Sequence, residues 1–239
     1  VFKTPMDLEK EAKEKKMNPY MLTSFVDGSK TMIEMAALAN YLDFDIDIDG
    51  MHGPNSTYDE LNSIFIPKTS GGILENTNVV DFAFGVAPGV FAIVYSEDDY
   101  VNYEMEYLKM GKGPYWTLYR PYHLTSLEIP RTIMKLMVEK ETQLSAKKWN
   151  VEVVAHSKKD LEAGTNLGSI GGENIYGKAM RVENSKNLAP LGIAENNIVN
   201  SEVKKGEPIE IENIDITDNQ LYKYCLLYTS DAADDVISV

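Results

Sequence analysis

The sequence predicts an α/β protein of the α+β kind, with a helix-rich first part followed by a smaller β-rich module. Three observations predict it. Helical patterns with capping residues recur over the first 150 residues. A single β-branched and aromatic stretch, "GGILENTNVVDFAFGVAPGVFAIVYS", interrupts them. After Trp149 the texture changes to short extended pieces separated by glycine turns.

Taken in order, Thr4 to Lys16 reads as a helix, because Thr4 can cap, Pro5 suits a first turn, and acidic residues precede basic ones. "NPYM" is expected to break it, and a second helix is expected from about Gly28 to Tyr41. Asp43 to Ser70 is rich in Asp, Gly, Pro, Asn and Ser and reads mostly as loop. The β-branched stretch then predicts two strands joined at "APG". A helix follows from Ser96, with Gly111 past its end, and another follows Pro130. In the β-rich part "KDLEAGTNL" (159–167) aligns with "SEVKKGEPI" (201–209), 42 residues on, with Gly164 and Gly206 as turn residues. Two copies are too few for a solenoid and predict a compact module of approximate internal symmetry. The expected boundaries are 1–150, 151–224 and a tail at 225–239.

The 239 residues suffice for one large or two modest domains, and 44% hydrophobic with 25% charged residues is ordinary for a globular protein. The net charge of −14 repels phosphate backbones and anionic lipid, so neither nucleic acid nor membrane is an expected partner. The longest apolar run, Asp81 to Tyr95, is too short and too broken to span a bilayer. Cys225 is the single cysteine, so no intrachain disulfide forms, and without a leader the expected compartment is the cytoplasm. The start at Val1, in what reads as mid-chain sequence, predicts a piece of a longer protein.

Three stretches could carry chemistry. On a helix, Asp27, Lys30 and Glu34 fall at i, i+3 and i+7, hence on one face of a segment otherwise apolar almost all round. A lysine buried beside carboxylates can serve as proton donor or anion clamp. The competing reading is an ion pair on a solvated stripe. "DFDIDIDGMHG" sets Asp43, Asp45, Asp47 and Asp49 at alternate positions near His52. It lacks the calcium-loop pattern and reads as a solvated acidic loop rather than a metal site. "LKMGKGPYWTLYRPYH" gathers Lys109, Lys112, Arg120 and His123 in an acidic chain, which favours a small anion such as phosphate or carboxylate. Otherwise its aromatics are core and His123 is structural. The sequence has no G-x-G-x-x-G, Walker or G-x-S-x-G motif, and no cysteine–histidine metal spacing.

"MNPYMLTSFVDGSKTMIEMAALAN", "DFAFGVAPGVF", "YLKMGKGPYWTLYRPYHLTSLEIP" and "KKDLEAGTNLGSIGGENIYGKA" together resemble the homoserine-dehydrogenase-like oxidoreductases that end in a SAF domain. The resemblance runs from about residue 10 to about residue 224. It implies a central catalytic and substrate domain at 1–150, a β-clip SAF domain at 151–224, and NADP held mainly by a Rossmann domain upstream. One branch of that family is a 1-deoxy-D-xylulose 5-phosphate reductoisomerase-like enzyme of isoprenoid synthesis. "CLLYTSDAADDVISV" resembles translated sequencing-adapter read-through.

The resemblance implies Lys30 as proton donor or acceptor at the substrate oxygen, with Asp27 and Glu34 orienting it or binding hydroxyls. It implies Lys109, Arg120 and His123 for the anionic end of the substrate, and Thr125 and Ser126 as neutral donors. The expected activity is NADP-dependent oxidation or reduction of a small, anionic hydroxy or keto compound. The alternatives are a non-catalytic module binding carbohydrate or protein, and sugar-acid dehydratase chemistry, whose metal-ligand clusters the sequence lacks. Dependence on a divalent metal and assembly with a second copy of the chain stay open.

Overall fold

In a computed structural model, residues 1–122, 125–216, 220 and 222–223 are described. His123 and the tail from Cys225 lie outside them. In chain order the main elements are α1 (Glu9–Glu14), α2 (Pro19–Val26), α3 (Ser29–Leu42), β1 (Asp45–Ile46), α4 (Leu61–Ile64), β2 (Val79–Val80), β3 (Val90–Tyr95), α5 (Asp99–Tyr107), β4 (Tyr115–Arg120), α6 (Thr125–Met134), β5 (Val151–Ser157), β6 (Ile175–Arg181) and α7 (Leu191–Ala194). This mixture of helices and small sheets has α+β character. The chain forms two compact units, one made of Val1–Ala36 with Trp149–Val239 and the other of Ala37–Lys148.

In the first unit the expected helix from Thr4 shrinks to α1. Thr4 instead pairs with Asp7, its amide and hydroxyl donating to Oδ2 at 2.9 and 3.0 Å, and closes a turn ahead of the helix. "NPYM" starts a helix instead of ending one. Asn18 caps α2 by accepting from the amides of Tyr20 and Met21, and Pro19 takes the first helical position, where its missing N–H costs nothing. Leu8, Ala12 and Leu22 bury the contact between α1 and α2, with Met17 packed on them.

β5 and β6 pair antiparallel from Val151↔Arg181 to Ser157↔Ile175. β5 is buried along nearly its whole length, so it lacks the alternation of a half-exposed strand. Around it the 42-residue repeat is visible in the backbone. Leu161 and Val203 occupy the same place in the two copies and bond to each other, N to O at 2.8 and 3.0 Å. Gly164 N donates to Val199 O at 2.7 Å, and its counterpart Gly206 N to Ser157 O at 2.8 Å. Leu167 N bonds Asn197 O as Ile209 N bonds Ala155 O, both at 2.8 Å. Every donor and acceptor is exchanged between copies, which is what a local two-fold axis through the Leu161–Val203 pair produces. Gly164 (φ +89°) and Gly206 (φ +86°) turn the chain at equivalent points.

In the second unit the expected hairpin across "APG" does not form. β2 pairs parallel with β1, Asp45↔Val79 and Ile46↔Val80, and β3 pairs antiparallel with β4. The backbone between them is committed elsewhere, since Phe84 N donates to Pro54 O and Ser56 N to Phe84 O, both at 2.8 Å. Leu61, Phe65, Leu74 and Val86 form the core under β3, with Phe91 and Ile93 packed on it. The helix expected from Ser96 starts at Asp99, because Asp98 caps it through the amides of Tyr100 and Val101. α6 begins at Thr125 and carries Pro130 inside it, where a helix was expected only beyond that proline. Pro130 falls in its second turn, so the bond that its ring forfeits is one to the first turn. No helix among the described residues is long and apolar enough to cross a membrane.

Candidate functional site

The junction between α2 and α3 carries the first predicted cluster, in an arrangement unlike the expected one. Gly28 adopts φ +88° and separates the two helices, so Asp27 caps the end of α2 and does not share a face of α3 with Lys30 and Glu34. Asp27 is fully buried and its Oδ2 lies 2.8 Å from Nζ of Lys158, whose side chain is 1% exposed. Lys158 also donates to Gly172 O at 2.7 Å and to Lys3 O at 3.0 Å. Asp27 Oδ1 accepts from the amide of Ser29 at 2.8 Å.

Lys30 is 40% exposed, with Nζ 3.8 Å from Glu34 Oε1 and 4.4 Å above the Phe25 ring. α3 buries a stripe of Ser29, Met32, Ala36 and Ala39, while Ile33 and Glu34 face out. The expectation of burial almost all round is thus corrected: residues at 3–4 spacing are covered, Ile33 between them is exposed, and Met35, Ala37 and Leu38 are half-buried. The cluster separates into a buried Asp27–Lys158 pair and an accessible Lys30–Glu34 pair one turn away.

The second predicted group lies in the other unit. Arg120 ends β4 and donates to Glu128 Oε1 of α6 at 2.7 Å. Ser126 is exposed in the first turn of α6, and Lys109, at φ +60°, is exposed just past the end of α5. His123 and the side chain of Thr125 lie outside the described residues. Arg120 and Ser126 thus flank the bend after β4.

The third stretch holds a constellation in which Asp81 was not foreseen. The loop after β1 turns through Gly50, Met51 and Gly53, all at positive φ, and brings His52 against two aspartates. Nδ1 of His52 lies 2.8 Å from Asp81 Oδ2, and Nε2 lies 3.5 Å from Asp47 Oδ2. Both carboxylates are buried while the imidazole stays 19% exposed. Asp81 also accepts from the amides of His52, Gly53 and Phe82. Asp47 accepts from the amides of Glu75 and Asn76 and from the Asn76 side chain. The acidic loop is therefore not simply solvated, at least at Asp47. Among the described residues no group of three or more His, Cys, Asp or Glu could hold a metal ion. The only sequence signal was an acid repeat beside a histidine, because Asp81 sits 29 residues away.

Burial pushes the Asp47 carboxyl up, but the amide of Glu75 and the side chain and amide of Asn76, with His52 nearby, outweigh it and hold the group below its ordinary value. A depressed carboxyl stabilises the fold above its unfolded pKa, about 3.9, and that contribution is lost as the pH falls through the folded value. Stability measured by urea unfolding should therefore decline below about pH 4, and more gently in Asp47→Asn than in the native chain. Asp81→Ala leaves three amides and the imidazole without their acceptor. It should cost about 3 kcal/mol at neutral pH, read from the urea midpoint of the second unit.

No curated protein matches the chain. Residues 2–129 match the model of the family described as oxidoreductase DRL, catalytic domain, a span that holds Asp27, Lys30, Glu34, His52, Lys109, Arg120 and Ser126. That span is more than half of the 239 residues, and the chain belongs to the oxidoreductase DRL catalytic-domain family.

Proposed function

We propose that this chain is the substrate-handling part of an NADP-dependent oxidoreductase acting on a small anionic hydroxy or keto compound, a sugar phosphate being the class that best suits it. The observation that carries this reading is the match of residues 2–129 to an oxidoreductase catalytic domain. It weighs against a purely binding module. Lys30 is the proposed proton-transfer group: an accessible ammonium held over Phe25 and beside Glu34 can reach a substrate oxygen. Arg120, Lys109 and Ser126 are proposed for the anion, Arg120 because a guanidinium takes a phosphate or carboxylate in bidentate fashion.

The residues present do not fit a dinucleotide. The sequence has no G-x-G-x-x-G, and among the described residues no strand leads through such a turn into a helix. NADP is accordingly proposed to bind to a Rossmann domain outside these residues, and no step is assigned through it. The proposed oxidoreductase is of the homoserine-dehydrogenase-like kind. The exchanged hydrogen bonds around Leu161 and Val203 support reading 151–224 as a SAF module. A cytoplasmic location goes with these readings.

The test is nicotinamide turnover by the complete gene product across phosphorylated and unphosphorylated hydroxy and keto compounds. Turnover that prefers the phosphorylated member of each pair is expected. Absence of turnover with every compound, or equal rates within all pairs, sinks the enzyme reading or the anion reading respectively.

A further inference from the structure

We infer that Lys158 of the β-rich segment is a positioning residue for Lys30, acting through Asp27; the inference rests on the role proposed for Lys30. The Lys158 ammonium donates to Gly172 O at 2.7 Å and to Lys3 O at 3.0 Å, and forms an ion pair with Asp27 Oδ2 at 2.8 Å. Both side chains are essentially inaccessible. Asp27 passes the restraint on, because its other oxygen accepts from the amide of Ser29, the residue before Lys30. Ser29 is held a second time, its Oγ accepting from the amide of Gly177 in β6 at 2.8 Å.

The surrounding glycines show how closely the backbones approach. A Cβ on Gly177 would lie 2.7 Å from Leu191 and 2.9 Å from Val153, and one on Gly171 would lie 2.2 Å from the carbonyl oxygen of Tyr20 in α2. α2, at Tyr20 and Ser24, and the start of α3, at Ser29, therefore both lie against the 171–177 segment. A buried ion pair contributes little net stability relative to apolar side chains of the same size, so its use here is to fix one geometry. Its removal should release the first turn of α3 without unfolding the unit, provided both charges go together.

The test compares Asp27→Asn/Lys158→Met with the native protein in the complete gene product. Asn retains an oxygen for the Ser29 amide, and no lone buried charge remains. The unfolding midpoint should hold. The kcat should fall about 10- to 100-fold with the KM for the anionic substrate nearly constant, because a displaced reacting group costs rate before it costs binding. A second readout needs no substrate. Pyridoxal 5′-phosphate forms an imine with a lysine amine, releasing water, and borohydride reduces it to a stable amine that peptide mass spectrometry locates. The labelling rate of Lys30 should change about threefold or more in the double variant, while that of the exposed Lys10 stays put.

Should the double variant fail to fold, Ser29→Ala cuts only the tie to Gly177 and is read by the same two measures. Lys158→Arg, which keeps a buried cation, should stay closer to the native protein than the double variant. Unchanged kcat with unchanged Lys30 labelling in a folded variant overturns the inference. Without any turnover the functional reading of Lys30 falls by itself, and the labelling rates still decide whether Lys158 positions it.

Discussion

Replacing Lys30 by alanine should lower kcat by about 10²- to 10⁴-fold, the range expected for loss of a positioned proton-transfer group. Folding should be nearly unaffected. The ammonium is part-exposed and meets Glu34 at 3.8 Å and the Phe25 ring at 4.4 Å, contacts of a kind that contributes well under about 1 kcal/mol each at a surface. Lys30→Arg separates two roles. A guanidinium keeps the positive charge but does not give up a proton, so arginine rescues an anion clamp and does not rescue an acid–base group. The expected result is loss of kcat in both variants, with KM for the anionic substrate raised only in Lys30→Ala. Native rates in Lys30→Ala would remove the residue from the site. Native rates in Lys30→Arg alone would turn it into a binding residue.

The elements that sequence showed well are those whose signal is local. α3 begins and ends within a residue of its expected place, because Gly28 and Ser29 mark the start by themselves. The symmetry of the β-rich segment was legible because a repeat is a statement about sequence, and the fold repeats its backbone bonds with it. The failures are non-local. Nothing between Val79 and Tyr95 reveals that β2 bonds β1 and β3 bonds β4, since β-branched content defines a strand and not its partner. Helical spacing put Asp27 beside Lys30, but one glycine at positive φ changes the direction of the chain and delivers Asp27 to a lysine 131 residues further along. His52 was read with its neighbours in sequence, whereas its shortest contact is Asp81 across a loop. Charged side chains reveal their type in sequence, and which of them are buried together depends on turns that reveal little.

Truncating Trp116 should have the largest effect on folding, about 3–5 kcal/mol for Trp116→Ala. The residue is fully buried in β4 opposite Val94, and its indole N–H donates to Asn102 Oδ1 at 2.9 Å. Asn102 in turn donates from Nδ2 to Ser96 O at 3.0 Å, so one amide joins α5 to the end of β3 and to the indole. Gly113 passes so near that a Cβ there would meet the ring at 2.7 Å. Alanine leaves both a cavity and an amide oxygen without its donor. Trp116→Phe keeps most of the volume and should lose about 1–2 kcal/mol, chiefly for the unsatisfied Asn102. Combining it with Asn102→Ala should cost less than the two single changes added together, because they remove one shared bond. Urea unfolding followed by circular dichroism measures the four variants against the native chain. A loss below about 1 kcal/mol in Trp116→Ala would mean that α5 is held by other contacts. The same clasp sets where the chain leaves α5, and Lys109 stands just past that exit at φ +60°. If Lys109 helps to bind the anion, KM should rise in Trp116→Phe although the substituted side chain is itself out of reach of solvent.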